Sequence, residues 1–429
     1  MKYNVSIRKN IYDFNEYLIA FVLVLNCRSI WTSLLSTRSE ATKVSFLLLV
    51  CATFMCILTV KEMKIYRFKK GITLAICFLI YMLLFLFLNT YNQEDLIINI
   101  IVVCILILYY SICNPNKNLP NVLLKYEKLV ILIAIVSMFF WIFGSQLHMI
   151  SPSNIVYSNW SGTGLDTPIK SYYGIYFETQ GIIFDSVGLI SRNSAVFVEA
   201  PMCSLHFSIA LLIELFLVKK ISKVKVLILI LANITTFSST GVILIILSLG
   251  TKFIINNPKS KVLYIIKVLF IPLCILFISC ISYMLLINKL GTNSGSIRID
   301  DFKVGFKAWK ENIFFGAGFN NYEFIKSFME SWRSYNTGFS NSPMIILSDG
   351  GIYIGLLYIC SFALGIITSF KRNEINKVAF ISMIVYLFTI TIFPYQYLLY
   401  FMLIYFFDSI FGDYIEERVS KNSENIVTI

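Results

Sequence analysis

Long apolar runs alternating with short polar punctuation make up most of the chain. A bilayer core about 30 Å thick needs roughly 20 apolar residues per helix. On that measure the pattern predicts spans at about 17–35, 43–60, 71–90, 96–113, 128–148, 198–218, 224–237, 239–256, 262–288, 343–370, 377–393 and 395–411. The runs Val224–Phe237 and Thr240–Ile255 are short and separated only by Ser238 and Ser239, so they form either two spans or a re-entrant pair. Two stretches, 149–197 and 289–342, lack a spanning run and read as long loops. The expected architecture is an all-α polytopic integral membrane protein of about twelve transmembrane helices, one membrane domain over residues 1–429.

Composition strengthens this: 57% of residues are hydrophobic and only 14% charged, with a mean hydropathy of +0.76. Lys and Arg concentrate in cytoplasmic loops. The termini and alternate short segments on one side carry 23 basic residues, whereas the short loops opposite carry only Arg38 and Lys43. Both termini are therefore expected in the cytoplasm and both long loops outside. The net charge of +12 has the same origin, which argues against nucleic-acid binding. The ten cysteines lie in or beside apolar runs without CxxC spacing, so neither disulfides nor a zinc site is expected. The N-terminal MKYNVSIRKN leads into a long span with no small-residue cleavage pattern, which predicts an anchor. Neither GxGxxG nor GxxxxGK[ST] occurs, and every cytoplasmic segment is short, so chemistry is expected within or outside the membrane on a substrate that arrives activated.

The second long loop carries an amphipathic helix. Ile299, Phe302, Phe306, Trp309 and Ile313 recur at spacings of three and four, while Arg298, Asp301, Lys303, Lys307 and Lys310 face elsewhere. Such a helix lies at the bilayer interface, and Arg298 at its start is also placed to favour an anion. In the first loop Trp160, Tyr172, Tyr173 and Tyr176 either stack on sugars or form an interfacial aromatic belt. Arg192, close to Glu199 and Pro201, either binds a phosphate bidentately or snorkels to a headgroup. Glu199 and His206 are seven apart and share a helical face, and ionisable groups at that depth point to function. Their plainer readings are a carboxylate paired with a nearby Arg and a packing histidine. Arg28 is expected to snorkel or pair within the bundle, and Glu214 to meet Lys219 or Lys220.

The run RNSAVFVEAP before a span, then TTFSSTG between two short spans, GSIRIDDFKVGFKAWKENIFFGAGFNNY, and SNSPMIILSDGGIYIGLLY follow one another over roughly residues 185–370. Their order and spacing resemble bacterial O-antigen and capsular polysaccharide polymerases and the related O-antigen ligases. The resemblance implies a GT-C-like membrane glycosyltransferase at the external face of the bacterial cytoplasmic membrane. Its substrate would be a polyprenyl-pyrophosphate-linked oligosaccharide, with no cofactor or metal, and a chain-length regulator as a plausible partner. The family's loop arginines correspond here to Arg192 and Arg298. Ligases carry His-Asn where this chain has Ser340 and Asn341, a departure that favours a polymerase and leaves the general base open. Glu199 is the candidate base, with Asp300, Asp301 and Asp349 behind it. Asp301, Ser340, Asn341, Tyr173 and Trp160 are the candidate substrate-binding residues. A glycan ligase and a transporter or flippase of the lipid-linked unit are the alternatives.

Overall fold

The structure, a computed structural model, describes residues 2–34, 38–60, 63–114, 119–158, 166–184, 188–256, 293–335 and 337–407. The span expected at 262–288 and the candidate residue Trp160 lie outside these residues.

The described chain is mostly helical. Helices α1 (Lys2–Leu25), α2 (Arg38–Thr59), α3 (Ile65–Leu88), α4 (Gln93–Cys113) and α5 (Asn121–Phe140) precede the first long loop. α5 runs on through a π-turn at Trp141–Gln146. After that loop come α6 (Ala200–Leu212), α7 (Lys223–Thr235) and α8 (Ser239–Ile255), and α6 likewise ends in a π-turn, Ile213–Leu217. The second long loop contains α9 (Asn293–Glu311) and the short α10 (Tyr322–Lys326). It is followed by α11 (Ser342–Lys371), α12 (Ile375–Ile390) and α13 (Tyr397–Phe407).

Among the described residues six helical segments are long and apolar enough to cross a bilayer: Ser39–Thr59, Ile65–Leu88, Gln93–Cys113, Asn121–Gln146, Ala200–Leu217 and Ser342–Lys371. α8, α12 and α13 are apolar but shorter. The protein is thus a polytopic helical membrane protein. α6 is its centre, buried along nearly its whole length against α5, α7, α8 and α12. The two short apolar runs after α6 do form separate helices, α7 and α8, divided by a turn in which Phe237 has a φ of 48°.

The first long loop departs from the all-α expectation. It forms a three-stranded antiparallel sheet of β1 (Asn154–Ser158), β2 (Thr167–Tyr172) and β3 (Tyr176–Glu178), and a hairpin of β4 (Gly181–Phe184) and β5 (Gly188–Ser191). Alternation explains the sheet: Ile169, Ser171 and Phe177 turn inward, while Lys170 reaches across the strands to Glu178 at 3.1 Å. Phe140, Tyr172 and Tyr176 pack where the sheet meets the end of α5, and Ile30 and Val198 pack on Ile169 and Phe177.

α9 also differs in its packing face. Its predicted apolar stripe, Ile299, Phe302 and Phe306, is exposed, as a helix facing the bilayer interface requires. Asp301, Val304, Gly305 and Ala308 pack instead toward the start of α11, where Gly305 lies close against Met344. Small residues let the two backbones approach.

α11 is broken at Gly351, whose φ of 59° and ψ of −159° are confined to glycine. The segment 313–318 fills the break. Ile352 and Tyr353 donate to the carbonyls of Ile313 and Phe314 at 2.9 and 3.0 Å, and Ala317 and Gly318 donate to those of Ser348 and Asp349 at 2.8 and 2.9 Å. Gly316, at φ 64°, would place a Cβ 2.4 Å from the Asp349 carbonyl carbon. Gly351→Ala is therefore expected to destabilise the protein by about 2 kcal/mol or more, from the backbone conformation and a clash with the Phe314 carbonyl. Gly355→Ala, which meets only Leu347 Cδ2 at 3.3 Å, should change little. Thermal unfolding of the two purified variants checks this, and equal melting points would show that the break is not needed.

Candidate functional site

The segment 192–199 runs as an irregular strut between elements remote in sequence, turning at Ser194–Phe197 with Ala195 at a φ of 48°. At its start Asn193 is buried and holds the end of α7, donating from Nδ2 to Thr235 Oγ1 at 2.9 Å and from its backbone N to the Thr235 carbonyl at 3.0 Å. Ser194 Oγ donates to the Phe177 carbonyl at 2.7 Å, tying the strut to β3. Phe197 forms a bridge with Ser29, and Val198 N donates to the Arg28 carbonyl at 3.1 Å. The strut ends at Glu199, the N-cap of α6, with Pro201 in the first turn, where a missing N–H costs nothing.

Glu199 does not cap its helix. Its Oε1 takes an ion pair from Arg28 Nη1 at 3.1 Å, with side chains 18% and 31% exposed. Arg28 sits in the turn after α1, held at a φ of 54°. Arg192 points the other way along the strut. Its Nε donates to the Thr236 carbonyl at 2.9 Å and its Nη2 to that of Phe237 at 3.4 Å, a cation at the negative end of α7. Arg298, in the first turns of α9, has no hydrogen-bond or ion-pair partner among the described residues.

Electrostatics connects these groups. Burial draws the pKa of Arg192 below the ordinary guanidinium range, and Glu199 opposes the shift. Burial does the same to Arg298, opposed by Asp301, Tyr386 and Glu199. One carboxylate is therefore within electrostatic range of both loop arginines and paired with a third. Arg28, Arg192 and Arg298 outnumber Glu199, while Asp301 also acts on Arg298 and is itself paired with Arg333, in a partly desolvated setting.

The other predicted residues have structural partners. Arg333, 1% exposed, is clasped by Asp300 at 2.7 Å, Asp301 at 3.0 Å and the Gly338 carbonyl at 2.8 Å. Asp301 also accepts from the backbone N and Oγ of Ser340 at 2.9 and 2.7 Å. Burial raises the pKa of Asp301, against the effect of Ser340 and Arg333. Asn341 caps α11, accepting from Met344 N at 3.1 Å. Asp349 is buried at the helix break and accepts from Tyr395 Oη at 2.9 Å and Asn320 N at 3.1 Å. Tyr173, 67% exposed, occupies the turn between β2 and β3. His206 is a packing histidine, bonded to Tyr126 Oη at 2.8 Å and stacked on Phe197. Glu214 meets neither Lys219 nor Lys220; it shares Lys225 with Glu127, at 3.4 and 3.0 Å. Among the described residues no group of His, Cys, Asp and Glu is arranged to hold a metal ion.

Arg28 is the residue that the sequence pattern undervalues. Of the two readings, snorkelling or pairing, the structure shows a pair, with a partner 171 positions away at the candidate site. Its one signal was a cation at the outer end of the first apolar run.

Fold and site together define a multi-pass membrane protein in which an arginine from each long loop lies within the electrostatic reach of the Arg28–Glu199 pair. A family model described as O-antigen ligase matches residues 224–360, which supports an O-antigen ligase- and polymerase-related family. No curated protein matches the chain, and no solved structure does.

Removing Arg333 would leave two carboxylates without their shared cation. Arg333→Met is therefore expected to cost about 3–5 kcal/mol and to free the 333–340 segment from α9. Thermal unfolding with limited proteolysis of that segment tests it; unchanged stability would show that Asp300 and Asp301 are not held by Arg333.

Proposed function

We propose that this protein is a repeat-unit polymerase of a surface polysaccharide. It would transfer a glycan from a polyprenyl pyrophosphate carrier onto a second lipid-linked oligosaccharide, at the external face of a bacterial cytoplasmic membrane, on a GT-C-like scaffold of about twelve spans. The observation that carries the reading is the Arg28–Glu199 ion pair at 3.1 Å, with the Glu199 carboxylate acting through its field on Arg192 and Arg298 from the two long loops. An acceptor hydroxyl oxygen attacks the anomeric carbon of the donor. The bond from that carbon to the pyrophosphate oxygen breaks, and the lipid pyrophosphate departs with the electron pair. Negative charge grows on the leaving oxygen, so fixed guanidinium groups bind the transition state more tightly than the ground state. Arg298, without a protein partner among the described residues, is the group most open to phosphate. Glu199 is the central carboxylate and the proposed acceptor of the hydroxyl proton.

A ligase reading is favoured by the description of the matching family. Against it stands the Ser340–Asn341 pair at the position of the ligase His-Asn, where Ser340 is bound to Asp301 and Asn341 caps a helix.

The test is to delete the gene in its host, resolve the surface polysaccharide on a gel, and complement with variants. A polymerase gives single capped repeats on deletion and a ladder on complementation. A ligase gives bare acceptor on deletion, which would overturn the polymerase assignment. Arg28→Ala, Arg192→Ala and Arg298→Ala should each lower transfer by about 10²- to 10³-fold while the protein stays in the membrane. Lysine at 192 or 298 should restore only part of it, since an ammonium lacks the bidentate fork. Wild-type chain length in all three alanine variants would sink the clamp. Glu199→Gln separates two roles: loss of turnover with donor binding retained marks a base, and loss of binding marks a residue that positions Arg28.

A further inference from the structure

The opposite end of α6 carries a second charged feature that the transfer reaction does not use. The helical segment Ala200–Leu217 is 18 residues long, so its ends are about 27 Å apart, close to the thickness of a bilayer core. Glu199 precedes one end; Val218, Lys219 and Lys220 follow the other. There a recess of about 900 Å³ opens between the start of α5, the end of α6 and the turn joining α11 to α12.

Its walls are of two kinds. Lys219 and Lys220 stand exposed on one side, with no ion-pair partner among the described residues, and Lys377 lines the other. Lys252 stands beside it, Nζ above the Phe216 ring and donating to Asn376 Oδ1 at 3.1 Å. The acidic group lining the recess is Glu374, 3.9 Å from Lys377. Glu127 and Glu214, nearby on α5 and α6, are buried and occupied by Lys225. Leu124, Phe216 and Ile255 supply an apolar wall, and Asn121, Asn373 and Asn376 add neutral polar groups to the lining.

We infer that this recess binds the headgroup of an anionic phospholipid from the leaflet on the side predicted to be cytoplasmic, its phosphate held by Lys219, Lys220 and Lys252 and its upper acyl chain against Phe216 and Ile255. The positive-inside pattern accounts for lysines at this face but not for their arrangement around a cavity with an apolar wall. Basic pockets between membrane helices on this side suit anionic headgroups. A soluble phosphate would match the lysines and leave the apolar wall unused. The inference is independent of the transferase reading, because the site lies across the bilayer from the arginine cluster.

Native mass spectrometry of the full chain in detergent tests it, with phosphatidylglycerol, phosphatidylcholine of the same acyl chains, and inorganic phosphate as probes. Phosphatidylglycerol should be retained in preference to phosphatidylcholine, and millimolar phosphate should not displace it. The K219Q/K220Q/K252Q variant should bind it about five-fold or more weakly, whereas K307Q/K310Q, on exposed lysines of α9, should bind it as wild type does. Equal retention of the two lipids, or unchanged affinity in the triple variant, would overturn the inference. Full displacement by phosphate would assign the recess to a soluble anion and overturn the lipid assignment.

Discussion

Hydrocarbon offers no hydrogen bonds, so each backbone N–H and C=O at membrane depth must find its partner within the protein. This constraint shapes the regions that matter most here. Regular helices meet it locally. Where α11 breaks at Gly351, the freed groups are met by the segment 313–318, so the break fixes the second loop in place and the second loop makes the break tolerable. The strut 192–199 meets the same demand by bonding to α7, β3 and the turn after α1. At both places irregular backbone joins elements remote in sequence, and the second of them carries Arg192 and the Glu199 that pairs with Arg28.

The cations at the site divide their labour. Arg192 is half spent on the carbonyls that end α7, Arg28 on Glu199, and Arg298 on no partner among the described residues. Arg333 is wholly internal, fixing α9 and the 333–340 segment through two aspartates. Arginine suits these tasks because its planar fork bonds carbonyls and carboxylates in fixed directions while keeping its charge.

Hydropathy makes the helical runs legible, including the short pair that becomes α7 and α8. It does not show the sheet of the first loop, whose strands are only three to six residues long and whose alternation is diluted by aromatics such as Tyr172 and Tyr176. Arg192, Glu199 and Arg298 stand out as ions beside apolar runs, and burial and the Glu199 carboxylate act on both arginines. Asp301, Ser340 and Asn341 look equally suited to substrate from their position, yet their bonds go to Arg333, to each other's segment and to a helix end. For Asp301 and Ser340 that distinction depends on contacts more than 30 positions apart, which spacing cannot reveal, whereas the Asn341 cap is local. The importance of Arg28 was hidden for the same reason.

The arginine cluster draws on the chain at positions 28, 192 and 298, and the support for its last member lies further on, at 333 and 351. During synthesis the first two arginines leave the ribosome long before the third has a helix to rest on. The nascent protein therefore passes through membrane insertion with its charge trap incomplete. The grouping is complete only when the C-terminal half has docked, so it waits on the scaffold being built.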